Sequence, residues 1–150
     1  MRVVLQRVAR ASVTVGGESI SRIGPGLLLL VASGKDDDPA EVGRLAEKIA
    51  GLRIFNDPEG KMNLPLSDVD GAEILVVPQF TLYGEVRRGR RPSWDRAAAP
   101  GVASQRVEAF AQALESLGAR VARGVFGANM EVELLNDGPV TLIIDGSDLA

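Results

Sequence analysis

Four arginines within five residues, Arg87, Arg88, Arg90 and Arg91, run into Pro92-Ser93-Trp94. Guanidinium forks match phosphate oxygens and a neighbouring aromatic ring can stack on a base, so this stretch has the chemistry to grip RNA. Charge alone favours the plainer alternative, a solvated loop with scattered ion pairs. Two other segments set polar side chains beside backbone breakers: Val77-Pro78-Gln79-Phe80-Thr81-Leu82 and Asn136-Asp137-Gly138-Pro139-Val140-Thr141. In the first, proline interrupts an apolar run and frees neighbouring backbone N–H groups, which could point at a developing oxyanion. The second has the composition of a turn between two strands. Spacing alone favours a strand bulge for the first and a hairpin for the second.

The residue types that are missing narrow the chemistry further. The chain has no histidine and no cysteine, which removes the Ser-His-Asp triad, the Cys-His dyad, disulfides and the usual zinc sites. Hydrolysis here has to come from Ser, Thr, Lys, a carboxylate, the backbone or the substrate itself. No Gly-x-Ser-x-Gly is present, and the three lysines (Lys35, Lys48 and Lys61) stand apart from any serine motif. A side-chain nucleophile is therefore disfavoured. Gly24-Pro25-Gly26 lacks the lysine of a phosphate loop and reads as a turn. Asp36-Asp37-Asp38 lacks the spacing of a calcium loop and sits where a helix start favours carboxylates. No metal and no cofactor are expected.

A net charge of −3 argues against nonspecific binding to DNA or other long nucleic acid, although a local basic patch could still hold a short piece of RNA. The longest apolar run, Leu27 to Ala32, is far below the ~20 residues of a membrane span. With no charged-then-apolar leader at Met1-Arg2-Val3-Val4-Leu5, a soluble, cytoplasmic protein without membrane partners is expected.

The elements that must position these segments follow from periodicity. Arg2 to Val8, Ala11 to Val15 and Ser19 to Ile23 mix β-branched and polar residues as half-buried strands do, with Gly16-Gly17 as a hairpin turn. Leu27 to Ala32 and Glu73 to Val77 read as strands buried on both faces, the second stopped or bent at Pro78. Asp38-Pro39-Ala40-Glu41 predicts a helix start, with Asp38 as cap, Pro39 in the first position and Glu41 completing a capping box. Val42, Leu45, Ala46, Ile49 and Leu52 follow its apolar face. Arg53-Ile54-Phe55 predicts a short strand, Glu85 to Ala103 a long loop, and Ser104 to Leu117 a second helix. Arg120 to Gly124, Met130 to Leu135 and Val140 to Asp145 predict three closing strands. The expectation is one α/β domain spanning residues 1–150.

Taken together, the chain resembles the D-aminoacyl-tRNA deacylase family (the D-tyrosyl-tRNA deacylases) from end to end. The blocks that carry the resemblance are Leu5-Gln6-Arg7-Val8, Arg10-Ala11-Ser12-Val13, Lys35-Asp36-Asp37-Asp38, Arg53-Ile54-Phe55, Gly60-Lys61-Met62-Asn63-Leu64, Gln79-Phe80-Thr81-Leu82, Arg91-Pro92-Ser93 and Gly138-Pro139-Val140-Thr141. Their common order over nearly the whole length makes the match specific.

The resemblance implies a mixed α/β fold of layered β-sheets with two main helices, forming a homodimer with active sites at the interface. It implies hydrolysis of the ester of D-aminoacyl-tRNA at the 3′ end, with L-amino acids rejected. By carry-over, Pro78, Gln79 and Met130 belong to the substrate pocket, and the backbone amides of Phe80 and Thr81 stand near the reacting ester. Gly138 and Pro139, joined by a cis peptide bond, reach in from the partner subunit as the chirality filter, and Arg7 holds that dipeptide. Arg87, Arg88, Arg90 and Arg91 are the candidates for tRNA contact. A filter that works by collision cannot exclude glycine, so glycyl-tRNA, mischarged on tRNA-Ala, is an expected second substrate. One departure is visible: the family's usual block has serine where this chain has Pro78. A branch that edits L-alanyl-tRNA carries proline there but alanine in place of phenylalanine, and Phe80 and Val140 set this chain on the D-specific side. The alternatives are that L-alanyl editor, a noncatalytic tRNA-binding module, and a small-molecule esterase.

Overall fold

A computed structural model describes residues 1–149. Its strands are β1 (Arg2–Val15), β2 (Glu18–Ile23), β3 (Gly26–Ala32), β4 (Phe55–Asn56), β5 (Met62–Leu64), β6 (Glu73–Pro78), β7 (Val121–Arg123) and β8 (Glu131–Asp145). The helices are α1 (Glu41–Gly51) and α2 (Pro100–Ser116), and one of three 3₁₀ turns among the described residues, Phe80–Tyr83, follows β6. The main sheet runs β2-β1-β3-β6-β7, with β8 paired to β1; β4 and β5 form a separate pair. The β3–β6 and β6–β7 pairings are parallel. Parallel neighbours need long crossovers, and α1 and α2 lie within those two connections.

The continuous apolar runs of β3 and β6 are explained by burial on two faces. Leu27, Leu29 and Val31, with Ile74 and Val76, pack with Leu45 and Ile49 of α1 and Phe110 and Leu114 of α2. The alternate residues Leu28, Leu75 and Val77 pack instead with Val8, Ala11 and Val13 of β1 and Ile23 of β2. Each such side chain, fully buried, contributes ~1.5–3 kcal/mol. The end of β6 is thereby fixed from both sides, and the chain leaves it in a set direction.

Several boundaries differ from expectation. The two strands predicted at the N-terminus are one strand, β1, whose first half pairs with β3 and whose second half pairs with β2. The hairpin predicted at Asn136-Asp137-Gly138-Pro139 is absent, because the segments on either side both pair with β1 rather than with each other. Gln6 pairs with Thr141 and Val8 with Asn136, so Asp137, Gly138, Pro139 and Val140 all stand opposite Arg7. Turn-forming residues here make a wide bulge in one long strand. Helix α1 starts at Glu41 instead of Pro39. The Asp38 side chain does accept the Ala40 N–H at 2.9 Å, and Glu41 accepts the Asp38 N–H at 3.3 Å, but over the turn that precedes the helix. Helix α2 starts four residues before the predicted Ser104, with Pro100 in its first turn, where a missing N–H costs nothing. Of the strand predicted at Arg53-Ile54-Phe55 only Phe55 is extended, continuing to Asn56, and it pairs with β5, which the periodicity does not predict.

Candidate active site

Pro78 is the last residue of β6, and the Gln79 N–H closes the ladder on the Val31 carbonyl at 2.8 Å. The chain then turns into Phe80–Tyr83. The first N–H groups of any helical turn lack an internal acceptor. Among the described residues, the Phe80 and Thr81 N–H groups donate to no backbone or side-chain atom, whereas Leu82 donates to Gln79 and Gly84 to Thr81. The Gln79 amide donates to the Thr81 hydroxyl. Phe80 is 52% exposed, and its ring meets Trp94 edge to face at 5.2 Å and 73°. Gly84 lets Trp94 sit there, since a Cβ would stand 2.8 Å from the indole.

Val77, Pro78, Gln79, Phe80 and Trp94 form one side of a cleft of about 650 Å³, within the usual range for small-molecule sites, and Thr81 follows them without lining it. The start of α2 with Ala97, Ala98 and Ala99 gives a second wall, and the Phe126–Met130 loop a third. The lining is mostly apolar, with Gln79 and Asn129 among its few amide side chains. The Met130 sulfur accepts the Val125 N–H at 3.4 Å, which folds the loop back on itself.

Behind the cleft, the C-terminal half of the 3₁₀ turn is held by three contacts. Arg2 donates from Nη1 to the Leu82 carbonyl at 3.1 Å, and its guanidinium lies 5.2 Å from the centre of the Tyr83 ring. The buried Tyr83 places its hydroxyl 3.4 Å from both carboxylate oxygens of Asp37. Burial first, and then the Asp37 charge, push the Tyr83 phenol above its ordinary range. Asp37 also accepts the Gly34 N–H at 2.5 Å and pairs with the Met1 ammonium at 2.7 Å.

The Gly138–Pro139 peptide is cis, as the family resemblance implied. Arg7, only 5% exposed, donates from Nε to the Asp137 carbonyl at 3.1 Å and from Nη1 to the Ile54 carbonyl at 2.6 Å. It therefore grips the residue before the dipeptide, not the carbonyls of the dipeptide itself. Gly138 has φ +124°, and a Cβ there would stand 2.8 Å from Arg7 Nη2. Asn136 closes the bulge from the other side, donating to the carbonyls of Arg7 at 2.9 Å and Val140 at 3.1 Å. Within one chain Gly138 and Pro139 are exposed and do not line the cleft beside Phe80.

The arginine cluster lies at the tip of a hairpin whose base is the mutual backbone pair of Glu85 and Ser93, at 2.8 and 3.0 Å. Arg87 forms an ion pair with Glu85 at 2.8 Å. That side-chain bond, followed by the Arg87 backbone N–H, lowers the Glu85 carboxyl to about 2. Arg88, Arg90 and Arg91 are exposed and have no acidic partner among the described residues.

The structure thus brings Pro78, Gln79, Phe80 and Met130 into one cleft with Trp94 close to the arginine hairpin, and sets Arg7, Gly138 and Pro139 in a separate bulge. Sequence reasoning missed the Phe126–Asn129 segment and the alanines before α2. The only signals were an aromatic residue in a Gly-rich stretch and a run of small residues ahead of a proline. It also missed the clasp made by Asn136.

The sequence model described as D-Tyr-tRNA(Tyr) deacylase matches residues 4–145. A D-aminoacyl-tRNA deacylase of Chloroflexus aurantiacus is 58% identical over 149 residues, covering 99% of this chain and 92% of the relative. One from Symbiobacterium thermophilum is 54% identical, covering 97% and 95%. Among solved structures, a protein described as c-Myc DNA Unwinding Element Binding Protein superimposes with a TM-score of 0.88 at 40% identity, covering 97% of this chain and 98% of its own. A probable eukaryotic D-amino acid tRNA deacylase shares the fold, with a TM-score of 0.79 at 21% identity over 95% and 97% of the two chains.

Proposed function

The chain belongs to the D-Tyr-tRNA(Tyr) deacylase family, and from that premise we propose that it hydrolyses the ester of D-aminoacyl-tRNA, releasing D-amino acid and free tRNA. The observation that carries the mechanism is the pair of N–H groups at Phe80 and Thr81, without partners among the described residues, at the start of the turn whose Phe80 lines an apolar cleft that offers no activated nucleophile. As water attacks the ester carbonyl, negative charge collects on its oxygen, and fixed backbone donors stabilise that charge without reorganising. The neighbouring 2′-hydroxyl of the terminal ribose helps to position the water, so the protein mainly supplies orientation. The reaction needs no metal and no cofactor.

Chirality is read by Gly138 and Pro139. In the proposed arrangement two copies of the chain form a homodimer, and this dipeptide enters the partner's cleft so that an L side chain collides with it. Arg7 and Asn136 hold the bulge that carries it, which supports a rigid wall. Glycine has no side chain to collide, so glycyl-tRNA mischarged on tRNA-Ala is also hydrolysed. Arg88, Arg90 and Arg91 contact tRNA phosphates beside the cleft, with Arg87 partly engaged by Glu85. Residues 1–150 act as one catalytic unit, in the cytoplasm where charged tRNA is used.

The test is ester loss from D-tyrosyl-, L-tyrosyl-, glycyl- and L-alanyl-tRNA with purified protein. Loss of the D-tyrosyl and glycyl esters with the L-tyrosyl ester intact is expected. Equal turnover of D- and L-tyrosyl-tRNA would exclude chiral proofreading, and turnover of the L-alanyl ester alone would assign the other editing branch. Binding of tRNA with no ester loss would leave only a binding module.

A further inference from the structure

The clamp behind the 3₁₀ turn joins two parts of the molecule that the proposed mechanism treats separately. Arg2 sits opposite Asp145 in the β1–β8 ladder. Its Nε and Nη2 grip the two Asp145 oxygens at 2.7 and 3.2 Å, which fixes the plane of the guanidinium. With that plane fixed, Nη1 reaches the Leu82 carbonyl at 3.1 Å and the guanidinium carbon lies over the Tyr83 ring, 5.2 Å from its centre. Tyr83 is held from its other end, with its hydroxyl 3.4 Å from both Asp37 oxygens and its ring packed so close to Gly34 that an added Cβ would stand 3.0 Å from it. A turn of four residues has little internal freedom, so fixing Leu82 and Tyr83 also fixes where the Phe80 and Thr81 N–H groups point.

We infer that Arg2 is a positioning residue for hydrolysis: anchored on Asp145, it sets the orientation of the backbone amides at the other end of the Phe80–Tyr83 turn. This rests on the proposal that those amides receive the developing oxyanion. Arg2 touches no substrate in this arrangement and acts only through the turn. Lysine cannot replace it fully, since an ammonium lacks the planar fork that serves Asp145 and Leu82 together.

The inference predicts a kcat effect without a binding effect. Arg2→Ala should lower kcat for D-tyrosyl-tRNA about tenfold or more, because a displacement of about 1 Å at a reacting group can cost ~100-fold. KM should stay within about twofold, since Arg2 contacts none of the residues that line the cleft or form the arginine hairpin, and Arg2→Lys should recover part of the loss. Trp94, the single tryptophan, packs on Phe80 and over Gly84, so its emission should shift in Arg2→Ala. Glu115→Gln serves as the control. It weakens the Arg123–Glu115 ion pair at the far end of α2 and should change neither kcat nor Trp94 emission.

Wild-type protein is assayed first. If it fails to hydrolyse D-tyrosyl-tRNA, the proposed activity falls and the role of Arg2 falls with it. If wild type is active and folded Arg2→Ala keeps its kcat, the role of Arg2 alone is overturned. That role is equally overturned if the kcat loss comes with an equal rise in KM, or if Glu115→Gln loses as much. Should Arg2→Ala fail to fold, Arg2→Lys decides: a lowered kcat with unchanged KM and shifted Trp94 emission supports the inference, and wild-type kcat overturns it.

Discussion

Arg7→Lys should separate the proposed chirality filter from the rest of the proposed machinery, because it keeps the charge and removes the fork. Arg7 is nearly buried and bonds two backbone carbonyls, Asp137 at 3.1 Å and Ile54 at 2.6 Å. Its ion pair with the Asp137 carboxylate is 3.5 Å long and that carboxylate is 59% exposed, so water screens it and it adds little. A hydrogen bond to a charged group contributes ~1.5–3 kcal/mol, and lysine can keep at most one of the two carbonyls. The bulge therefore loses ~1.5–3 kcal/mol of restraint. If the whole of it bears on L-rejection, the D/L ratio of kcat/KM falls by roughly 10- to 150-fold at ~1.4 kcal/mol per factor of ten. The D-substrate, which the wall does not touch, should change by only a few-fold. The assay is kcat/KM with D- and L-tyrosyl-tRNA, on protein whose circular dichroism and mass in solution match wild type. Equal losses for both substrates, or an unchanged ratio, would refute the idea that Arg7 holds a filter.

Three further outcomes are expected. Thr81→Ala should keep substantial activity, since its role falls on an N–H that alanine retains, while a D-tyrosyl-tRNA whose terminal ribose lacks the 2′-hydroxyl should react far more slowly. A folded Thr81→Ala protein that binds tRNA but is inactive would make the threonine hydroxyl a catalyst. Replacing Arg88, Arg90 and Arg91 together by alanine should weaken tRNA binding and flatten its salt dependence by about 2–3 in slope, at ~0.7–0.9 per lost phosphate contact; an unchanged slope would leave these arginines as plain surface. The Glu85–Arg87 pair should persist as pH falls until about 2. The sign follows from a depressed carboxyl: what the pair adds to the hairpin is present above the ordinary carboxylate range and is lost as pH drops through the lowered value. Carboxyl carbon shifts measured by NMR should report that low value, and Arg87→Ala should return Glu85 to the ordinary range.

What could be read from the chain divides along physical lines. Leu27 to Ala32 and Glu73 to Val77 announced strands buried on both faces, because an unbroken apolar run has no side to show to water, and both cores are there. The face of α1 was equally plain, with Leu45, Ala46 and Ile49 buried at helical spacing. Boundaries failed where tertiary pairing overrode local chemistry. Asn136-Asp137-Gly138-Pro139 has every local reason to turn, and after Asn136 it does leave the ladder. Nothing local says that the chain then rejoins the same neighbour, since that depends on β1 being long enough to pair with both sides. The lost hairpin and the merged N-terminal strands are thus one error, made by reading a 14-residue strand as two.

The candidate site divides in the same way. The Pro78–Thr81 stretch could be singled out locally, because a proline at the end of a buried strand interrupts regular pairing, but spacing alone favoured a bulge there and its place in a substrate pocket came from resemblance. Met130 and Gly138-Pro139 came from resemblance, since no spacing rule links residues some fifty positions further on to the turn after β6. Arg2 carried no signal at all. It is a single arginine in a strand, and its importance appears only when β8 puts Asp145 beside it and β6 delivers Leu82 and Tyr83 to the same place. Arg7 and Arg2 lie on one strand five residues apart, the first gripping the bulge that carries Gly138-Pro139 and the second the turn that carries Phe80 and Thr81. Both devices in the proposed mechanism, the wall that rejects and the amides that stabilise, are therefore tied to β1. A change that shifts β1 as a body should disturb selectivity and rate together, whereas Arg7→Lys and Arg2→Ala should separate them.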